Sequence, residues 1–229
     1  ELFERGYMQQ GTPNIIFEGN HIIIVDKPHG WLVHGDKTND QTIGDWLKQY
    51  IKQKYNKPGD VFLGTVHRLD RPVGGLMVFA RTSKSLERLN KSFADKHVKK
   101  YYQALVQNCP EKLSAYLVHW LRKEEVRNSV ELRNDAAGQE WKKAETNYQV
   151  LGKYNQYFLI ALEPITGRKH QLRAQMASIG SPIVGDLKYG SKIRCSDGNI
   201  ALKCTGLEFI HPVKKERLCF KLDKPDWNI

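Results

Sequence analysis

KAETNYQVLGKYNQYFLIAL, residues 143–162, reads as two β-rich segments, 143–151 and 157–162, separated by a polar, glycine-containing turn. Upstream, 117–120 and 130–132 are further short β-rich segments between polar turns, so this half of the chain suggests an antiparallel sheet. Nearer the N-terminus, Ile22-Ile23-Ile24-Val25 is a β-branched run closed by Lys27-Pro28-His29-Gly30, the signature of a buried strand entering a turn. A short strand is expected over 32–34, another over the apolar run 76–80, and another over 101–106. Segments 207–209 and 218–222 complete the set as closing strands.

Helices interrupt these strands. Ile43, Trp46, Leu47, Tyr50 and Ile51 recur at helical spacing behind Thr42 and Asp45, which are placed as an N-terminal capping pair. Leu86, Leu89 and Phe93 mark one face of a second helix whose other face is mainly basic. Leu172, Met176 and Ile179 form a third stripe that stops at Gly180. Strands in succession with a few helices among them define an α+β fold, with a large mixed, mainly antiparallel sheet flanked by helices and loops. Residues 1–12 read as a tail too short for an accessory domain, and 13–229 as one folded domain.

The chain of 229 residues carries 36 Lys and Arg against 25 Asp and Glu, a net charge of +11 that favours a polyanionic partner. The four cysteines, Cys109, Cys195, Cys204 and Cys219, lie too far apart for a paired metal motif and read as reduced thiols. No apolar run approaches the ~18 residues of a membrane span. The start Glu-Leu-Phe-Glu-Arg lacks a signal-peptide pattern, so a cytoplasmic location is expected; the protein is also expected to be a monomer. The eight histidines show no metal-ligand spacing, and a glycine-rich phosphate loop is absent, so neither metal nor cofactor is expected.

Chemistry concentrates in two clusters. His67-Arg68-Leu69-Asp70-Arg71-Pro72-Val73-Gly74-Gly75 puts one carboxylate between two arginines, which favours its ionised, nucleophilic form. By itself such a string is as readily a surface salt-bridge cluster. Thr166-Gly167-Arg168-Lys169-His170-Gln171-Leu172-Arg173 begins the third helix with basic side chains suited to phosphate.

In order and spacing these clusters resemble the motifs of the RluA-type pseudouridine synthases. Other matches are Asp26-Lys27-Pro28-x-Gly30, Lys100-Tyr101-Tyr102-Gln103-Ala104-Leu105-Val106, Gly185-Asp186-x-x-Tyr189-Gly190 and His211-Pro212, so the resemblance runs from about residue 15 to about 222. It implies one catalytic domain that isomerises a uridine in structured ribosomal or transfer RNA, with a slight preference for ribosomal RNA.

By the resemblance, Asp70 is the nucleophile, attacking either the ribose C1′ or the uracil C6. Tyr102 stacks on the uracil and helps remove the C5 proton, although a phenol of ordinary pKa is a poor base at neutral pH. Arg173 orients Asp70 and keeps it ionised, and Leu172 lines the uracil pocket. The target nucleotide must be flipped out, with Arg68 as wedge or phosphate contact. His67, Arg71, Arg168, His170 and Lys100 are further substrate-binding candidates. Part of the set Lys84, Arg88, Lys91, Lys96, Lys99 and Lys100 is expected to hold the RNA backbone.

Two departures stand out. Gly74 replaces a usual Ser and is expected to loosen the loop after Asp70, and Lys203 replaces a frequent His. Two other readings compete. An inactive RNA-binding or RNA-folding module would need none of Asp70, Tyr102 and Arg173. A glycoside or nucleoside hydrolase would need a second carboxylate, for which Asp186 is the candidate, and would release free uracil.

Overall fold

The computed structural model describes residues 11–136, 138–223, 225 and 227. The first ten positions of the expected tail lie outside the described residues. Along the chain run β1 (Asn14–Glu18), β2 (Ile22–Lys27), α1 (Ile43–Lys54), β3 (Gly64–Thr65), β4 (Gly74–Ala80), α2 (Ser83–Ala94), β5 (Lys99–Val106) and β6 (Ser114–Glu124). They continue with β7 (Ser129–Arg133), β8 (Lys142–Tyr154), β9 (Tyr157–Pro164), α3 (Gln171–Ser178), β10 (Leu202–Ile210) and β11 (Arg217–Lys221). The elements group into two compact units: a first on residues 11–98 and 206–222, and a second on residues 99–205.

In the first unit β1 pairs with β2, β2 with β4, β3 with β4 and β11 with β10, all antiparallel. Ile22 to Val25 are fully buried and every residue of β4 is buried, so these strands are covered on both faces. That explains why they read as unbroken apolar runs rather than alternating ones. Thr42 caps α1 as its sequence suggests: its Oγ1 accepts from Asp45 N–H at 3.1 Å and donates to Asp45 Oδ2 at 2.7 Å. The helix buries Ile43, Leu47 and Ile51, while Trp46 and Tyr50 stay half-buried and stack on each other with centroids 5.8 Å apart.

The expected strand over 32–34 does not form; Leu32 makes only an isolated parallel bridge to Thr42. Polar side chains turn the following residues instead. Asp36 accepts hydrogen bonds from Thr38 N–H and Oγ1, and Asp36 and Asp40 both pair with Arg71, so the chain doubles back toward α1.

In the second unit the antiparallel order is β5-β9-β8-β6-β7, with the first residues of β10 beside β5. The hairpin that opened the sequence reading is β8–β9, and β8 runs past the expected Leu151 to Tyr154. A register shift between Val150 and Gly152, with Gly152 at φ +148°, absorbs the irregularity inside the strand instead of ending it. The α3 residue Ala174 packs with Leu121, Val130 and Ala144 of β6, β7 and β8. A second apolar cluster joins Leu105, Tyr157, Val184, Cys195, Ala201 and Trp227. The α+β class and the mainly antiparallel pairing agree with the sequence reading.

Candidate functional site

Asp70 stands on the loop between β3 and β4 in the first unit, partly exposed. Its backbone is fixed before its side chain is considered. Val73 N–H donates to Asp70 O at 2.9 Å, closing a turn, and Gly30 N–H donates to Arg71 O at 2.9 Å. Beneath that turn lies Lys27, fully buried, whose Nζ donates to Trp31 O at 2.8 Å, Arg71 O at 3.2 Å and Pro28 O at 3.3 Å. Burial pushes the Lys27 ammonium down to about 7; the Asp70 carboxylate pulls the other way, Arg71 adds to the lowering, and Asp26 opposes it. One lysine therefore gathers three carbonyls of two loops under the carboxylate.

The arginines that flank Asp70 in sequence part company in space. Arg71 donates from Nε to Gly30 O at 3.2 Å and from Nη1 to Thr38 Oγ1 at 3.2 Å, and Nη2 pairs with Asp40. It staples the 30–40 loop to the Asp70 loop. Arg68 is exposed, and among the described residues its guanidinium has no hydrogen bond or ion pair. His67 accepts from Val78 N–H at Nε2 (3.0 Å) and stacks on Phe93 with centroids 4.9 Å apart, which ties the loop to β4 and α2.

Gly74 does not loosen this loop. A Cβ there would stand 2.7 Å from His29 Cε1 and 2.8 Å from its Nδ1, so the missing side chain is space that the His29 ring occupies. The departure from the family pattern is a packing choice made together with His29.

The second unit holds Tyr102, Lys100, Leu172, Arg173, Arg168 and His170. Tyr102 is buried on β5 opposite Leu162, and Lys100, two residues earlier, lies on the same face of the strand. A Cβ on Gly167 would lie 3.2 Å from Lys100 Nζ, so the bare glycine of the Thr-Gly-Arg turn leaves room for the ammonium. Burial lowers the Lys100 pKa, against an opposing contribution from Cys204. Among the described residues Lys100 has no hydrogen-bond partner.

A buried amide ladder locks α3 onto β8. Thr166 Oγ1 accepts from Glu145 N–H at 2.9 Å and donates to Gln171 Oε1 at 2.7 Å, and Gln171 Nε2 donates to Glu145 O and Thr146 Oγ1. One turn on, Thr146 Oγ1 donates to Gln175 Oε1 at 2.6 Å, and Gln175 Nε2 donates to Ala144 O at 3.2 Å. Both glutamine side chains are satisfied, which is what makes their burial tolerable.

This ladder fixes the rotation of α3 and points Arg173, 3% exposed, at Asp186, 1% exposed. Nε donates to Oδ2 at 2.7 Å and Nη2 to Oδ1 at 2.8 Å, a bidentate pair, while the guanidinium lies 5.1 Å from the Tyr189 ring centroid. The resemblance assigns Arg173 one carboxylate, Asp70; within its own unit the structure gives it another. Asp186 is thereby held as a counter-ion, a poor state for the acid or base of a hydrolase.

Of the other candidates, Leu172 is buried in α3, Arg168 is exposed with Nε on Lys143 O at 3.0 Å, and His170 opens α3 with φ +50° and Nδ1 2.7 Å from Tyr189 Oη. On α2, Arg88 donates to Pro212 O, Lys91 pairs with Asp95 and Lys84 is exposed, as is Lys99 at the start of β5. Sequence reasoning passed over Lys27, Tyr189 and the pairing of Asp186. Their signal was present, since each lies in a quoted motif, but nothing in a motif says which member is buried.

Among the described residues no group of three or more His, Cys, Asp or Glu side chains is placed to hold a metal, and no helix is long and apolar enough to cross a membrane. Comparison with known proteins gives one consistent family. A sequence model described as RNA pseudouridylate synthase matches residues 21–178. The ribosomal large subunit pseudouridine synthase C of Vibrio cholerae is 29% identical over 89% of this chain and 63% of its own length. The protein of the same name from Buchnera aphidicola subsp. Schizaphis graminum is 31% identical over 97% of this chain and 71% of its own length. The chain thus spans somewhat under two thirds of the first relative. The solved structure of human RNA pseudouridylate synthase domain containing 4 superposes with a TM-score of 0.76, at 23% identity, over 93% of this chain and 88% of that one, a likeness of fold. The match over the segment that holds Asp70, Tyr102 and Arg173, with about 30% identity along most of the chain, means that this chain belongs to the RNA pseudouridylate synthase family, in its RluA type.

Proposed function

We propose that the chain isomerises a uridine of ribosomal RNA to pseudouridine, with Asp70 as nucleophile and no cofactor. The observation that carries this reading is the family match across residues 21–178, which includes Asp70, Tyr102 and Arg173 in their motif positions. Relatives named for the large ribosomal subunit make its RNA the first substrate to test, with transfer RNA as the second.

Asp70 attacks C1′ or C6 of a flipped-out uridine, and the N1–C1′ bond breaks. The uracil turns while it is held, C1′ joins C5, the bond to Asp70 breaks and returns its carboxylate, the C5 proton leaves and N1 gains one. Tyr102 lies against the ring and assists the C5 deprotonation, and Arg173, its Nε and Nη2 already engaged by Asp186, supplies positive charge that keeps Asp70 ionised. The Lys27 clasp supports the role of Asp70 by fixing its turn before substrate arrives, and the Lys100 ammonium offers a contact to backbone phosphate. Residues 13–229 act as the catalytic domain.

The test is to incubate the protein with unmodified large-subunit ribosomal RNA and map pseudouridine by carbodiimide-blocked primer extension. A stop that forms with wild type and not with Asp70→Ala is the expected result; RNA binding without any stop would favour the RNA-binding module.

A further inference from the structure

The β6–β7 turn, Glu125-Val126-Arg127-Asn128, is built far more firmly than a solvent-facing hairpin tip requires. Asn128 N–H donates to Glu125 O at 3.2 Å, and Asn128 takes a left-handed φ of +50°. The Glu124 carboxylate accepts from Val126 N–H at 3.1 Å, Arg127 N–H at 2.9 Å and Ser129 Oγ at 3.1 Å, so it is consumed inside the turn. From outside, Lys188 Nζ donates to Arg127 O and Asn128 O, both at 3.2 Å, and Lys169 Nζ pairs with Asn128 Oδ1.

Both lysines belong to the motif segments around α3. So does Tyr189, whose Oη accepts from Val130 N–H at 3.0 Å on the turn side and meets His170 Nδ1 at 2.7 Å on the helix side. With the Val130 N–H as donor, the phenol proton points to Nδ1, and a neutral His170 carries its own proton on Nε2. The Tyr189 ring lies under the Arg173 guanidinium. One side chain thus touches the hairpin, the first residue before α3 and the buried arginine.

What this scaffold presents is Val126, 95% exposed, between Glu125 and Arg127, with Lys123 three residues before it, all exposed. Among the described residues neither cation has an ion pair. A lone exposed valine is ordinary on a protein surface. A branched apolar side chain on a turn already immobilised from three sides, with the unpaired cations Arg127 and Lys123 outnumbering the exposed Glu125 in a chain of charge +11, is a surface prepared for a ligand that is both anionic and partly apolar. Unpaired nucleotides have that character: phosphates outside, base and ribose faces within.

We propose that the β6–β7 turn reads the RNA beside the target uridine, Val126 packing on an unpaired base or its ribose and Arg127 on a phosphate. In this arrangement Tyr189 is a positioning residue that keeps the turn in register with α3. The inference rests on the isomerase reading for the word target, and on the turn alone for the contact.

The test uses the whole chain with transcribed large-subunit ribosomal RNA. Val126→Ala is expected to raise KM about fivefold, from the lost apolar contact, with kcat changed by less than about twofold and thermal stability unchanged. Arg127→Ala should flatten the dependence of log affinity on log salt by about one unit. Tyr189→Phe, which keeps the ring on Arg173 and loses both hydrogen bonds, should raise KM similarly, and combining it with Val126→Ala should raise KM by less than the product of the single effects. A photoreactive side chain at position 126 should crosslink to RNA within a few nucleotides of the modified uridine. Wild-type isomerisation with all three variants unaltered overturns the inference while sparing the activity. If wild type forms no pseudouridine, the activity reading fails, and the crosslink and salt slope still decide the contact. Crosslinking to a protein and not to RNA would refute it.

Discussion

Asp70 and Asp186 are both single carboxylates in motif segments, one in each unit, and the fold treats them in opposite ways. Asp186 is sealed, almost without exposure, and both its oxygens face the fork of Arg173. Asp70 stays partly exposed on a turn whose rigidity comes from elsewhere: the cation beneath it, Lys27, spends its hydrogen bonds on backbone carbonyls. A carboxylate locked by a bidentate arginine is structural, because removing either partner strands a buried charge. On the Asp70 turn the clamp acts on the backbone, and the residue stays partly exposed. The contrast is one of burial and of where the clamp acts, and it can be broken experimentally.

The largest expected effect is on activity. Asp70→Ala should lower pseudouridine formation by about a thousandfold or more, since the proposed nucleophile is lost, while its urea midpoint stays near wild type. Substantial activity in that variant would remove the distinction between the two carboxylates.

Asp186→Asn is expected to behave the other way round, first as a stability variant. It removes the charge that the buried Arg173 fork faces, and breaking a buried ion pair from one side costs about 3–5 kcal/mol. Chemical denaturation should report it, and a midpoint equal to wild type would show that the pair is not holding α3.

Lys27 sharpens the comparison through pH. Its value falls from 10.5 to about 7 on folding. Below about 7 it is charged in both states. Between about 7 and 10.5 it is neutral when folded and charged when unfolded, so unfolding takes up a proton and stability rises with pH across that window. The contribution approaches about 1.4 kcal/mol per pH unit within the window. Denaturation of wild type and Lys27→Met at pH 7.5 and 9.5 should show a steeper rise for wild type; equal slopes would mean the buried ammonium keeps its ordinary pKa.

The smallest effect is expected at Gly74. Gly74→Ser should cost about 1 kcal/mol by pressing on the His29 ring, and His29→Ala in the same chain should recover most of it. A stable single variant would show that the ring moves aside freely.

Much of this was legible before any coordinates. The Thr42–Asp45 cap, the buried run Ile22–Val25, the apolar β4 and the β8–β9 hairpin follow from local patterning, because capping side chains and apolar periodicity act over a few residues. The short strand expected at 32–34 failed because the polar anchors of that loop, Asp36 and Asp40, answer to Arg71, more than thirty residues away. Gly152 read as a terminator and proved to be a bulge, since only a partner strand decides whether an extra residue is absorbed.

The family was written in linear motifs, because the residues that mark it recur in short strings whatever surrounds them. The tertiary structure decided the partnerships. It tied Arg71 to the 30–40 loop, gave Arg173 the carboxylate of Asp186, put Lys27 under a turn as a clasp for carbonyls, and made Tyr189 the link between α3 and the β6–β7 turn. Charge pairing and burial depend on which side chains converge in space. Sequence spacing limits that convergence only within a helix turn or a strand, and beyond that range the packing of sheet and helix settles it.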